Sequence, residues 1–339
     1  MIECKLLFNT NSYKFRPHAC QALSGFLELE KQKVIFLRID FKKDIRIPFV
    51  NAFCCEINKR KVIYDIEDGN DNLLPSAIDF IHREKILLFK RAYDEQAFGN
   101  DELIRPYGLN YMKSFNGFIE KAAFHLAERG FFPPISFPFQ LSKIQDWSFI
   151  NNCSNHTNRI MFCTRLWDQN QTKSRVDKLN ETRIQVVSTL RKAFPGNVIA
   201  GVIDSPISRK LCRDLILPPK ITKRNHYLEL IGKSSVCVTT TGLHHSIGWK
   251  FGEYVASGKA IVSEPLHFSV PGPFCEGKNY LTFLSKDELI EKCDDLLSHP
   301  EKRQEIEYNN INYFIHYLRP DMLIWNTIRQ VVDDDVVLR

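Results

Sequence analysis

No stretch of the chain approaches the ~20 uncharged apolar residues that a membrane-spanning helix needs, which argues against an integral helical membrane protein. The opening residues MIECKLLFNTNSYKF lack the long apolar run of a signal peptide, so the expected location is the cytoplasm. Of the ten cysteines only Cys54 and Cys55 are adjacent, and no CxxC pair occurs. Zinc sites need clustered ligands and disulfide scaffolds belong to short secreted chains, so reduced, buried thiols are expected. Internal repeats and low-complexity tracts are absent. Basic residues form only short clusters such as Asn58-Lys59-Arg60-Lys61, with no basic helix and no aromatic RNA-binding motif, so nucleic acid is not the expected partner.

What is present fits a globular protein of two domains. A length of 339 residues exceeds one ordinary core. Hydrophobic residues at 44% and charged residues at 25% are near globular averages, which excludes disorder and fibrous folds. The balance of 46 Lys+Arg against 40 Asp+Glu gives a net charge of +6. That suits an anionic ligand or a membrane surface without choosing between them.

Short apolar runs alternate with segments of helical period in both halves, the pattern of α/β folds with parallel sheets. Strands are expected at 5–9, 33–40, 49–56, 62–66 and 86–90, with helices at 18–30, 74–83 and 113–129. The prolines within 131–138 block helix and ladder alike and mark a linker. A second series follows, with strands at 159–164, 198–203, 236–240, 260–263 and 280–283. Helices are expected at 180–194, 227–233, 247–257 and 286–298, then from 300 onward with a break at Pro320. The expected division is an N-terminal domain over 1–135, a linker over 136–158, a C-terminal domain over 159–318, and a final helix over 319–339 that packs back on the first domain.

The most informative stretch runs from Thr241 to Glu264: a strand end, a loop, an amphipathic helix, a glycine stop and a buried strand. In open α/β sheets ligands lie outside the carboxyl ends of the strands, so this loop and the first turns of the helix can face a nucleotide. Gly242 and Gly248 allow close backbone approach, and amides at a helix start receive phosphate. Within it, K-x-x-E-Y-x-A-x-G-K-x-I-V-S-E, running from Lys250 to Glu264, resembles the donor-site helix of GT-B glycosyltransferases, in particular those that build bacterial surface polysaccharides such as capsule and lipopolysaccharide. The resemblance covers about 159–297. It implies two Rossmann-like domains facing each other across a cleft, with Glu253 gripping ribose hydroxyls from an exposed helix face and Lys250 meeting phosphate one turn earlier. His245 stands where the best-known retaining families carry a second Glu, a departure that bears on sugar recognition and stereochemistry.

Two further segments support the resemblance. Arg165 follows the first strand of the second half, where such enzymes place a cation on the donor phosphates, a task suited to the planar guanidinium fork; Lys173 is a weaker candidate. The run Gly277-Lys278-Asn279-Tyr280-Leu281 resembles the segment after the donor helix and places Asn279 near the sugar end. In the first half, 64–71 is the densest acidic loop, and Asp65 and Asp68 are the candidate catalytic bases for an acceptor hydroxyl. The expected activity is transfer from a nucleotide-sugar donor to a hydroxyl of a glycan or lipid-linked acceptor, in the cytoplasm or peripheral to the inner-membrane surface, with no cofactor and no metal. Competing readings are a sugar-nucleotide epimerase of similar fold, a metal-dependent GT-A transferase using the acidic loop, and a non-enzymatic anion-binding protein. Adjacent side chains such as His244 and His245 seldom converge on one metal ion.

Overall fold

The computed structural model describes residues 1–9, 17–42, 47–49, 51–71, 73–112, 157–169 and 176–337. The helix expected at 113–129, the proline-rich segment 131–138 and Lys173 lie outside the described residues. The chain divides into two compact units, one made of Met1–Ile144, His267–Gly272 and Ile315–Arg339, the other of Gln145–Leu266 and Pro273–Phe314. The longer described helices are α1 (Pro17–Lys31), α2 (Pro75–Glu84), α3 (Asp177–Ala193) and α4 (Arg224–Lys233). They continue with α5 (Trp249–Ala256), α6 (Lys286–Ser298), α7 (Pro300–Tyr313) and α8 (Pro320–Val337). None of the described helices is long and apolar enough to cross a membrane. The cysteines among the described residues are free thiols, and all but Cys275 are buried.

The first unit is built on β1 (Ile2–Asn9), β2 (Ile35–Lys42), β3 (Ala52–Ile57), β4 (Arg60–Asp65), β5 (Leu87–Lys90) and β6 (Ile104–Pro106), in spatial order β2-β1-β3-β4-β5-β6. The sheet is parallel except for β3, which runs antiparallel to both neighbours. That exception corrects the all-parallel expectation, and its cause is local. β3 and β4 are joined by Asn58 and Lys59 alone, with φ of 47° and 72°. Two residues close a hairpin of this left-handed type, whereas a parallel crossover needs a dozen or more. Both faces are covered. Leu6, Leu37, Cys55, Tyr64 and Phe89 meet α1 and α8 on one side, and Leu7, Cys54, Ile63 and Leu88 meet α2 on the other. Hence the strands read as continuous apolar runs rather than alternating ones. α8 is tied down by polar contacts as well, Tyr64 Oη lying 2.9 Å from Thr327 Oγ1.

The second unit holds β7 (Thr157–Thr164), β8 (Val198–Val202), β9 (Ser234–Thr239), β10 (Ala260–Ser263) and β11 (Leu281–Thr282), all parallel, in the order β11-β10-β9-β7-β8. Ile160, Phe162, Val236 and Val262 pack under α3, α6 and Ile306 of α7. The alternate residues Met161, Cys163, Cys237 and Ile261 are equally buried, on the side of α4 and α5. The chain leaves β7 to one side for β8 and then returns past it to β9. The direction of connection therefore reverses between β7 and β9, and it is outside the carboxyl ends at such a reversal that open α/β sheets form their ligand crevice.

Gly258 ends α5 with φ of 57°, and a Cβ there would lie 2.6 Å from Ile311 Cγ1. Strain and overpacking act together at such a position, so Gly258→Ala should lower stability by about 2 kcal/mol. A shift of the urea midpoint at constant slope would register it; an unchanged midpoint would show that α7 yields freely.

Candidate functional site at the carboxyl ends of β7 and β9

The loop after β9 is held in a tight frame. Gly242 N donates to Ser246 O at 2.8 Å and Ser246 N to Leu243 O at 3.0 Å. A Cβ on Gly242 would stand 2.3 Å from Ser246 Oγ and 3.2 Å from Ser246 O, so a larger residue there would force the Ser246 side chain to turn away. His244 and His245 follow with φ of 57° and 58°, two consecutive L-residues in a left-handed conformation that costs energy and recurs near functional sites. His245 is exposed. Among the described residues, no three His, Cys, Asp or Glu side chains form a group able to hold a metal ion.

Gly248 then starts α5, whose Phe251, Tyr254 and Val255 are fully buried. That apolar face fixes the rotation of the helix and sets Lys250 and Glu253, one turn apart, on a common side. Glu253 is 6% exposed and its Oε1 accepts from Arg224 Nη1 of α4 at 2.6 Å. The helix face is thus not the open one expected from sequence. Burial pushes the Glu253 carboxyl up, and Arg224 opposes the shift. Lys250 is pulled down to about 8, first by burial, with the charges of Arg183 and Arg165 adding to the effect and Glu253 opposing it.

After β7, the guanidinium of Arg165 lies 5.1 Å over the ring of Trp167. Its segment is anchored by Asn180 of α3, which accepts from Trp167 N at 2.9 Å and donates to Trp167 O at 2.8 Å. A cavity of about 240 Å³ lies between this segment and Asp204-Ser205-Pro206 after β8. A wider bay of about 630 Å³ is lined by Lys220, Lys223, Arg224 and His226 at the start of α4.

Arg183 is one of two residues that sequence reasoning missed, Arg224 being the other. Arg183 is 7% exposed, and it joins the two loops: Nη1 donates to Arg165 O at 2.8 Å, Nη2 to Thr241 O at 2.9 Å and Nε to Thr240 Oγ1 at 3.2 Å. Glu264 holds the same loop from β10, its Oε2 accepting from Thr241 N at 2.8 Å. Nothing in the helical pattern around Arg183 distinguishes it from a solvated arginine. Lys259 and Asn279 have inward roles. Lys259, fully buried, donates to Gly232 O at the end of α4, a favourable position for a cation. Asn279, 1% exposed, accepts from Cys275 N and donates to Asn310 Oδ1, so its amide braces the loop instead of opening onto the crevice.

No family model matches the chain, and no curated protein matches it. Solved structures similar to it include the C-terminal domain of a group 1 glycosyl transferase from Francisella tularensis, at 16% identity over 50% of this chain and 91% of that one, with a TM-score of 0.33. HepE of Anabaena, solved with UDP and glucose, is similar at 13% identity over 80% of this chain and 71% of its own, with a TM-score of 0.41. A protein described as a UDP-N-acetylglucosamine 2-epimerase from Listeria monocytogenes is similar at 11% identity over 98% of this chain and 96% of that one, with a TM-score of 0.46.

The two acidic candidates lie in the first unit and differ in setting. Asp65 and Lys90 are register partners on β4 and β5, and their side chains, 4% and 1% exposed, meet at 2.6 Å. Asp65 Oδ1 also accepts from Glu67 N. Asp68 is 41% exposed and pairs with Arg91.

Proposed function

We propose that this protein is a glycosyltransferase that moves a sugar from a nucleotide-sugar donor to a hydroxyl of a glycan or lipid-linked acceptor. The observation that carries the reading is the pairing, at the β7/β9 reversal, of the cations Arg165 and Lys250 with the carboxylate Glu253 and the glycine-closed loop at Gly242. Cations and loop amides suit a diphosphate. A buried carboxylate suits two neighbouring ribose hydroxyls. In the reaction the acceptor oxygen bonds to the anomeric carbon, the bond from that carbon to the diphosphate oxygen breaks, and the electron pair leaves with the nucleoside diphosphate. Arg165 and Lys250 would stabilise the charge that grows on the leaving group, and Asp68 would take the acceptor proton if the reaction inverts. Side-chain cations in this role make a divalent metal unnecessary, and activity should survive chelation. The net charge of +6 fits work at an anionic inner-membrane surface from the cytoplasm.

Calorimetric titration with UDP, GDP, CMP and dTDP tests the reading, since failure to bind any of them would sink it. Turnover of a nucleotide sugar without acceptor, giving an isomeric donor, would favour an epimerase. Glu253→Gln should weaken nucleotide binding by about ten- to a hundred-fold, the loss of a charged hydrogen bond. Normal affinity in that variant would remove Glu253 from the site.

Lys250 gives the site a pH signature. A lysine with a pKa of about 8 is charged at pH 7 and neutral at pH 9.5. Diphosphate affinity should therefore fall as pH rises through 8, by up to about tenfold per unit. Lys250→Met should bind more weakly at pH 7 and lose that dependence. A wild-type profile flat from pH 7 to 9.5 would place the ammonium away from the phosphates. By the same linkage Lys250 should contribute a rise in folding stability between pH 8 and 10.5, where the unfolded chain holds the extra proton.

A further inference from the structure

Arg224 was not among the residues that sequence pattern singles out, and its setting is unusual. It opens α4, forms one wall of the 630 Å³ bay, lies 5.9 Å over the ring of Tyr227, and reaches back to Glu253 Oε1 at 2.6 Å. Of this pair Glu253 is 6% exposed and Arg224 35%. We propose that Arg224 is the positioning residue of the site, fixing Glu253 through Oε1 so that Oε2 is presented as a charged acceptor to the neighbouring hydroxyls of a ribose. The proposal rests on the nucleotide-sugar reading above.

A carboxylate taken out of water loses hydration and drifts toward its protonated form, which donates one hydrogen bond where the ion accepts several. The groups facing Glu253 are Arg224 and Tyr227 from α4, Cys163 from β7, and Lys250 and Tyr254 from its own helix. Only Arg224 and Lys250 among them are cationic. Lys250 is itself weakened as a cation by burial, and in the proposed site its charge faces phosphate. Arg224 supplies orientation as well as charge, because its guanidinium is planar and lies over the Tyr227 ring. Removing it leaves burial unopposed by its main counter-charge.

The test compares wild type, Arg224→Gln and Arg224→Lys for binding of whichever ribonucleoside diphosphate the wild type takes, UDP or GDP, against its 2′-deoxy counterpart, from pH 5 to 8. Wild type should prefer the ribonucleotide and keep that preference to a lower pH than Arg224→Gln does, because Arg224 opposes the upward push of burial on Glu253. Arg224→Gln should bind the ribonucleotide about ten-fold more weakly at pH 7, lose affinity further as pH falls, and bind the deoxy form almost as wild type does. Arg224→Lys should recover part of the preference. An equal loss for both nucleotides with a flat pH profile would make Arg224 a structural support and overturn the proposal, as would wild-type behaviour of Arg224→Gln. If wild type binds no nucleotide, the functional reading falls. A carbon-13 titration of the Glu253 carboxyl in ligand-free protein then still decides the role of Arg224: a higher pKa in Arg224→Gln supports it, and an unmoved one refutes it.

Discussion

Asp65→Asn should lower stability by about 3–5 kcal/mol, the cost of leaving one member of a buried ion pair uncompensated. Lys90 has its ammonium 1% exposed and bonded to Asp65 at 2.6 Å, on the face that packs under α2 with Ile63 and Leu88. An asparagine keeps the shape but not the charge, and the buried ammonium must then deprotonate or draw in water. Asp68→Asn should behave in the opposite way. Its side chain is 41% exposed, so its pairing contributes about 1 kcal/mol or less to stability. As the proposed base, however, its loss should slow transfer by ~100-fold or more while leaving donor affinity unchanged. Thermal denaturation and single-turnover transfer, run on both variants, separate the roles. If Asp65→Asn melts normally and transfers slowly, the assignments are reversed; if neither variant transfers slowly, the base lies elsewhere or the reaction retains configuration.

The contrast between these two aspartates shows how far the sequence carries. Composition marks 64–71 as acidic and the apolar run before it as a strand. It does not say that Asp65 and Lys90 are register partners, since register is a property of two strands and the pattern of one strand does not contain it. The hairpin could have been read. Two apolar runs separated by Asn58 and Lys59 leave no room for a crossover helix, and that count outweighs the α/β pattern around it. Helices with strong apolar faces were legible nearly to their ends: α6 spans Lys286–Ser298 as its period predicts, because Leu289, Cys293 and Leu296 must meet the sheet. The motif from Lys250 to Glu264 was legible as a helix and a stop, yet its members divide by direction. Lys250 and Glu253 gather with the crevice cations, whereas Lys259 turns inward to α4. Sequence spacing gives the face of a helix and not what another helix brings to that face, which is why Arg224 and Arg183 were invisible.

Arg183→Met should lower both the stability of the second unit and its affinity for nucleotide. A methionine fills much of the same volume, so the loss is mainly one of polar pairing: Arg165 O, Thr241 O and Thr240 Oγ1 each lose a donor. Only the Thr240 contact is fully buried and the two carbonyls are partly so; a fully buried unsatisfied acceptor costs about 1–3 kcal/mol and a half-wet one less, so a net loss of about 2–3 kcal/mol is expected. Burial draws the guanidinium down to about 10, with Glu264 opposing, so it is charged at pH 7 and its removal also leaves Glu264 without its nearby counter-charge. Because the same side chain fixes both the segment of Arg165 and the loop of Gly242, nucleotide affinity should fall even where the protein remains folded. Arg183→Lys keeps the charge but not the three-way fork, and should recover stability better than affinity. Chemical denaturation gives the first quantity and calorimetric titration at low temperature the second. A folded Arg183→Met variant with wild-type nucleotide affinity would show that the two loops hold their positions independently, and the crevice between β7 and β9 would then no longer be a single site.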